Sequence, residues 1–200
     1  MANSSTSKPM FSGEIALPGK PASKSVNPAG DAVGLVFHTM EHLGKLNIRG
    51  DHTLETAVRT ATGCAFPPLK NQFEAAGERR IIWLAPDEYL LLCESGKEKA
   101  LQDTLVSTIK TSHFSITDVS DSLCALSLEG PAVRSVLAKG CSLDLHPSKF
   151  EPGRCAQSLL AHAGITLVAL SEESFILICR PSFAPYVHDW LVDAALEYGY

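Results

Sequence analysis

Two hundred residues, 45% of them hydrophobic and 20% charged, supply enough apolar side chains for one sizeable core and are too apolar for a wholly disordered chain. A net charge of −5 argues against sequence-independent nucleic-acid binding, which needs a dense array of Lys and Arg to displace counterions. No apolar stretch approaches the roughly 20 residues that span a bilayer, and the longest candidates, Ile81–Leu84 and Tyr89–Cys93, are separated by Pro86-Asp87-Glu88.

Residues 1–34 are rich in Ser, Pro, Gly, Asn and Lys and lack periodicity, the composition of a flexible arm that orders only against a partner. Its first thirty residues hold no apolar h-region and no Arg, so neither a secretory signal nor a typical transit peptide is expected. The six cysteines, Cys64, Cys93, Cys124, Cys141, Cys155 and Cys179, include no C-x-x-C pair. Without an export signal they are read as reduced thiols in a cytoplasmic protein.

A single domain is expected over residues 35–200. Leu46 to Gly50 alternates as a strand. Asp51 can cap a helix carrying Leu54, Val58 and Ala61, which Gly63 ends. The apolar runs on either side of Pro86-Asp87-Glu88 predict a hairpin, and Leu101, Leu105 and Ile109 mark one face of a following helix. The second half repeats this order. A strand over Ala125–Gly130 leads through Pro131 into a helix with Val133, Val136 and Leu137, closed by Gly140. Strands follow near 155–162, 165–170 and 174–180. A last helix, from Ser182 onward, carries Phe183, Tyr186, Val187, Trp190, Leu191, Ala194 and Tyr198 at helical spacing.

Gly50 answers Gly130, Gly63 answers Gly140, and Asp87–Cys93 resembles Glu173–Cys179. The pattern predicts an internally duplicated α+β fold. Two strand–helix–hairpin–helix units, over residues 35–112 and 113–200, pack helices on antiparallel sheets.

Chemistry-bearing motifs are few. No dinucleotide, P-loop, zincin or nucleophile-elbow signature is present. His38 and His42 have the i, i+4 spacing of zinc ligands, but on an extended segment they stand roughly 13 Å apart at 3.3 Å per residue, and no third ligand is near. In Asp144-Leu145-His146-Pro147 a carboxylate and an imidazole share one side of an extended segment, an arrangement that turn formation before Pro147 also explains. Asp118 and Asp121 read as the bend into the next strand, and Lys139-Gly140-Cys141 as a helix end rather than a reactive thiol.

Three blocks, Asp118-Val119-Ser120, Leu128-Glu129-Gly130-Pro131-Ala132 and Lys139-Gly140-Cys141-Ser142-Leu143-Asp144-Leu145-His146-Pro147, together resemble the gamma subunits of heterotetrameric sarcosine oxidases. Trp83–Leu91, Cys155-Ala156-Gln157 and the Trp190 helix extend the likeness over roughly residues 35–198. The resemblance implies a non-catalytic subunit with the fold of the folate-binding aminomethyltransferases, so no catalytic, cofactor or metal residue is expected in this chain. It implies alpha, beta and delta partner subunits that hold FAD, FMN, NAD and zinc. The complex would turn sarcosine into glycine, with hydrogen peroxide and either formaldehyde or 5,10-methylenetetrahydrofolate, so tetrahydrofolate enters at the level of the complex.

The aminomethyltransferases carry Y-T-G-E-x-G-Y-E before a strand, the first Glu anchoring the pterin. Here the matching stretch, Ala169-Leu170-Ser171-Glu172-Glu173-Ser174-Phe175-Ile176, keeps Glu172 and loses both glycines. Glu172 is therefore a weak folate candidate, and a stand-alone tetrahydrofolate-binding protein or one-carbon transferase is the alternative reading. Asp144, His146 and Pro147 are candidates for a surface that docks on the alpha chain.

Overall fold

The structure, a computed structural model, describes residues 34–40, 43–110 and 113–199. Apart from Gly34, the arm expected over residues 1–34 lies outside them, as does His42. In chain order the strands and α-helices are β1 (Val36–Thr39), β2 (Gly44–Arg49), α1 (Glu55–Thr62), β3 (Phe73–Ala76), β4 (Arg79–Ala85), β5 (Glu88–Cys93) and α2 (Glu98–Thr108). Then come β6 (Ser115–Asp118), β7 (Cys124–Glu129), α3 (Val133–Ala138), β8 (Cys155–Leu160), β9 (Ala163–Ala169), β10 (Ser174–Cys179) and α4 (Ala184–Ala195).

Two antiparallel sheets result, in the orders β3-β4-β5-β2-β6 and β8-β9-β10-β7-β1. The orders match element for element, with one twist. β1, from the first half of the chain, completes the sheet of the second half, and β6, from the second half, completes the sheet of the first. The halves exchange their leading strands.

Gly50 and Gly130 occupy equivalent places in this exchange. Gly50 donates its N–H to Asp87 O and Gly130 to Glu173 O, each at 2.9 Å. Each ends a strand with positive φ, 146° and 135°. The exchanged chain passes directly over both: a Cβ on Gly130 would lie 2.4 Å from Gly34 O, and one on Gly50 would lie 3.2 Å from His113 O. A side chain at Gly130 would meet backbone, one at Gly50 would first meet Leu54 Cδ1 at 2.4 Å, and both positions hold a positive φ that glycine adopts without strain, which is why glycine stands there twice.

Alternation along the central strands sorts side chains into three layers. Leu46, Ile48, Ile81, Tyr89 and Leu91 face Leu54, Val58, Leu101 and Leu105 on the side of α1 and α2. Leu126, Leu128, Phe175 and Leu177 face Val133, Val136, Val187 and Leu191 on the side of α3 and α4. Between the sheets lie Ile82, Leu90, Leu92, Ala125, Cys155, Val168, Ile176 and Ile178. Both faces of β5 and β10 are thus buried, and such strands read as unbroken apolar runs rather than as alternation. The α+β class and the hairpins stand as expected. Three short strands, β1, β3 and β6, were not foreseen.

Two expectations about the helices change. Gly63 ends α1 in the left-handed conformation, φ 80°, with its N–H on Arg59 O at 2.9 Å. Gly140 does not adopt positive φ. A Cβ there would lie 2.5 Å from Trp190 Cζ2, so its smallness serves the close approach of α3 and α4. In the last helix Phe183 and Tyr186 are exposed, while Ala184 and His188 are buried beside Val187 and Leu191. A 3₁₀ turn over Pro181–Phe183 precedes α4 and offsets the buried stripe from the spacing expected.

Candidate functional site

The segment from Cys141 to Phe150 has no regular structure, yet Cys141, Leu145 and Phe150 are buried and hold it on the second sheet. Asp144, His146 and Pro147 are exposed. The Asp144 carboxylate accepts the His146 backbone N–H at 3.0 Å, forming a local turn, and does not pair with the imidazole. His146 Nδ1 instead accepts the Ser148 N–H at 3.2 Å and lies 2.8 Å from Ser148 Oγ. Because a backbone N–H only donates, Nδ1 serves as the acceptor in this turn. Lys149 and Phe150 both return their N–H groups to His146 O, at 2.8 and 3.0 Å.

Arg134, on α3, holds this loop in place. Its Nη1 donates to Leu145 O at 2.7 Å and to Phe150 O at 3.0 Å, and its Nε donates to Glu172 O at 2.8 Å. The guanidinium carbon stands 4.9 Å from the centre of the Phe175 ring. Burial lowers the Arg134 pKa, and Glu172 opposes that shift. One arginine thus joins the loop holding Asp144 and His146 to the turn holding Glu172, whose side chain is exposed. The planar fork, with donors aimed at several carbonyls at once, is the property that selects Arg over Lys here. Helical spacing gave no sign of this role, because Arg134 falls on the flank of the apolar stripe.

The rest of the Lys139–Pro147 block is tied to α4. Lys139 Nζ donates to Ala194 O, pairs with Glu197 and stands 5.0 Å from the centre of the Tyr198 ring. Gly140 passes under Trp190.

A second polar cluster lies where β6 turns into β7. Asp118 Oδ1 accepts both the N–H of Ser120, at 2.9 Å, and its hydroxyl, at 2.6 Å. Ser120 Oγ in turn accepts the Lys45 N–H at 2.9 Å. Lys45 is only 4% exposed, and its ammonium donates to Leu43 O at 2.7 Å and to Ser120 O at 3.3 Å. Burial depresses its pKa from the ordinary 10.5, and Cys124 with the carboxylates of Asp121, Asp118 and Glu98 opposes the shift. Asp118-Val119-Ser120 therefore forms a bend clasped by a buried lysine that sequence reasoning missed.

Blocks distant in sequence also meet across the two sheets. Cys155 donates its S–H to Gln72 O at 3.2 Å and lies 3.4 Å from Trp83 O, and Gln157 Nε2 donates to Leu84 O at 2.8 Å. Burial pushes the Cys155 thiol up to about 12. His38 pairs with Ser127, Nε2 to Oγ at 2.9 Å, across the β1–β7 ladder. Among the described residues no three His, Cys, Asp or Glu side chains are placed to hold a metal ion, and no helix is long and apolar enough to cross a membrane.

The chain has known relatives. A sarcosine oxidase subunit gamma from Corynebacterium sp. (strain U-96) is 36% identical over 150 residues, 74% of this chain and 71% of that protein. A chain in the solved heterotetrameric sarcosine oxidase from Corynebacterium sp. U-96, in complex with pyrrole 2-carboxylate, superposes with a TM-score of 0.76 at 31% identity, covering 83% of this chain and 86% of that one. The aminomethyltransferase T of the glycine cleavage system from Bartonella henselae shares the fold. It superposes with a TM-score of 0.59 at 14% identity, over 80% of this chain and 46% of that one. The profile of the sarcosine oxidase, gamma subunit family matches residues 44–197. With its sheets, its helices and the Lys139–Pro147 block inside that span, the chain belongs to the sarcosine oxidase gamma subunit family.

Proposed function

We propose that the chain works as a non-catalytic gamma subunit of a cytoplasmic heterotetrameric sarcosine oxidase. In this reading alpha, beta and delta chains bind FAD, FMN, NAD and zinc and carry out the oxidative demethylation of sarcosine to glycine. Hydrogen peroxide is one product, and the methyl carbon leaves as formaldehyde or passes to tetrahydrofolate. The observation that carries the proposal is the likeness, over 83% of this chain, to a chain of a solved heterotetrameric sarcosine oxidase.

The residues agree with a supporting role. Lys139, Gly140, Asp144 and Arg134 are engaged in packing and in backbone hydrogen bonds, and the carboxylate–imidazole pair that general acid–base chemistry would use is not formed. Glu172 stands on an exposed turn whose backbone is fixed by Arg134, without the glycines that let backbone approach a pterin. Asp144, His146 and Pro147, exposed on a loop fixed from behind, form the face offered to the alpha chain.

Co-expression with and without the other subunits tests this. The chain alone is expected to be colourless and inert toward sarcosine, and the oxidase assembled without it to be less stable or incomplete. Micromolar tetrahydrofolate binding by the isolated chain would instead favour a stand-alone folate-binding protein or one-carbon transferase.

A further inference from the structure

Cys124 opens β7, Cys179 closes β10, and the two stand directly opposite each other across the ladder. Further along the same ladder, Gly130 donates its N–H to Glu173 O, and every second opposed pair from there exchanges backbone hydrogen bonds. Cys124 and Cys179 form one of these pairs, for which antiparallel geometry sets the Cα atoms about 5.5 Å apart. That lies within the roughly 4.4–6.8 Å a disulfide spans. Both side chains join Leu126 and Leu177 in the core beneath α3 and α4, so they leave the sheet on the same face.

The two thiols differ in character. The Cys179 thiol facing the Cys124 sulfur and the positive charge of the nearby Lys45 ammonium together outweigh burial and lower the Cys124 pKa. Cys179, facing that sulfur and buried, holds its proton well above the ordinary range. Cys124 keeps 9% of its surface in solvent and Cys179 only 2%. The outer thiol is thus the nucleophile and the inner one the resolving partner. Cys64, Cys93 and Cys155 differ from Cys124, because burial raises each of them.

We propose that Cys124 and Cys179 form a peroxide-reactive dithiol that closes to a disulfide joining β7 to β10. The Cys124 thiolate attacks one oxygen of hydrogen peroxide and the O–O bond breaks. Cys124 becomes a sulfenic acid, and the departing hydroxide takes up the proton released on thiol ionisation to become water. The Cys179 sulfur then attacks the Cys124 sulfur, and the S–S bond forms as the S–O bond breaks. The leaving hydroxide takes the Cys179 proton as a second water. Two thiols lose two electrons and one peroxide becomes two waters. That the protein meets peroxide at its own site of work rests on the reading of it as an oxidase subunit; the couple itself needs only added peroxide.

The test treats the folded full-length chain with hydrogen peroxide, blocks free thiols and maps peptides without reduction. The expected result is loss of two hydrogens per chain and a linked Cys124–Cys179 peptide, reversed by dithiothreitol. The Cys124 thiol should disappear about tenfold faster than those of Cys64, Cys93 and Cys155, in line with its thiolate character. In Cys179→Ser, dimedone should trap a sulfenic acid on Cys124, and in Cys124→Ser, Cys179 should stay a thiol. Unchanged thiols in folded protein, a link between other cysteines, or sulfinic acid at Cys124 without a link would each overturn the proposal. If the serine variants fail to fold, the wild-type peptide map decides alone. Failure of this couple would leave the assignment as an oxidase subunit untouched, and failure to assemble with an oxidase would leave the couple untouched.

Discussion

The indole of Trp190 fills the space that a side chain on Gly140 would need: a Cβ there would stand 2.5 Å from Cζ2 and 3.1 Å from Cε2. Gly140→Ala should therefore cost about 1–3 kcal/mol through overpacking, as read by urea denaturation. Gly164→Ala, on β9 with nothing within 4 Å of the added Cβ, is the control and should change stability by less than about 0.5 kcal/mol. Pairing Gly140→Ala with Trp190→Leu should recover part of the loss, and an additive double mutant would count against the contact as the cause.

Arg134→Met is expected to destabilise by about 1–3 kcal/mol, because the carbonyls of Leu145, Phe150 and Glu172 lose their donor together. Arg134→Lys should restore little, since one ammonium on a flexible stem cannot reproduce the fork. Limited proteolysis should place the new cleavage between Asp144 and Phe150, while an unaltered digest would show that the loop holds itself.

Lys45 gives a pH dependence of definite sign. Its folded pKa lies below the 10.5 of the unfolded chain. Between those two values the unfolded state keeps the proton that the folded state has released. Stability should therefore rise with pH across that window, and below it the native state bears the cost of burying the charge. Denaturation midpoints taken as pH is raised toward 10.5 should show this slope in the wild type and a flatter one in Lys45→Met.

Asp144→Ala combined with His146→Ala removes two exposed side chains whose hydrogen bonds are all local. The isolated chain should lose about 1 kcal/mol at most, whereas assembly with the alpha chain should weaken. Sedimentation of the mixed subunits measures the second effect and thermal unfolding of the lone chain the first. A double mutant that unfolds would assign both residues to the fold alone.

The hairpins, the capping turn before α1 and the chain order of the longer elements were legible in the sequence because turn residues and apolar runs are local signals. Asp51, for example, accepts the Thr53 N–H at 2.9 Å, although what it caps is the 3₁₀ turn His52–Leu54 that leads into α1 rather than α1 itself. β1, β3 and β6 were not legible: each is only four residues long, and β1 and β6 owe their strand conformation to partners distant in sequence, while β3 is a short edge strand in a hairpin with β4. Gly140 misled for a related reason, since a glycine after a helix suits a left-handed cap and a close helix contact equally well. Arg134 and Lys45 were silent because their partners are mainly backbone carbonyls, which leave no mark on residue type. The resemblance blocks were read as adjacent residues, yet Gln157 reaching Leu84 O shows part of their restriction arising across the two sheets.

The exchanged strands set an order of events for the growing chain. Val36 leaves the ribosome early, but its ladder partner Glu129 follows only about ninety residues later, so β1 must wait unpaired while most of the protein is made. The first sheet is equally incomplete until β6 arrives from beyond its own final helix. Neither half released alone could finish its sheet, and each would present a bare edge to other chains. Two fragments cut between α2 and β6 should aggregate when made separately. Mixed during refolding, they should rescue one another, each supplying the missing border of the other.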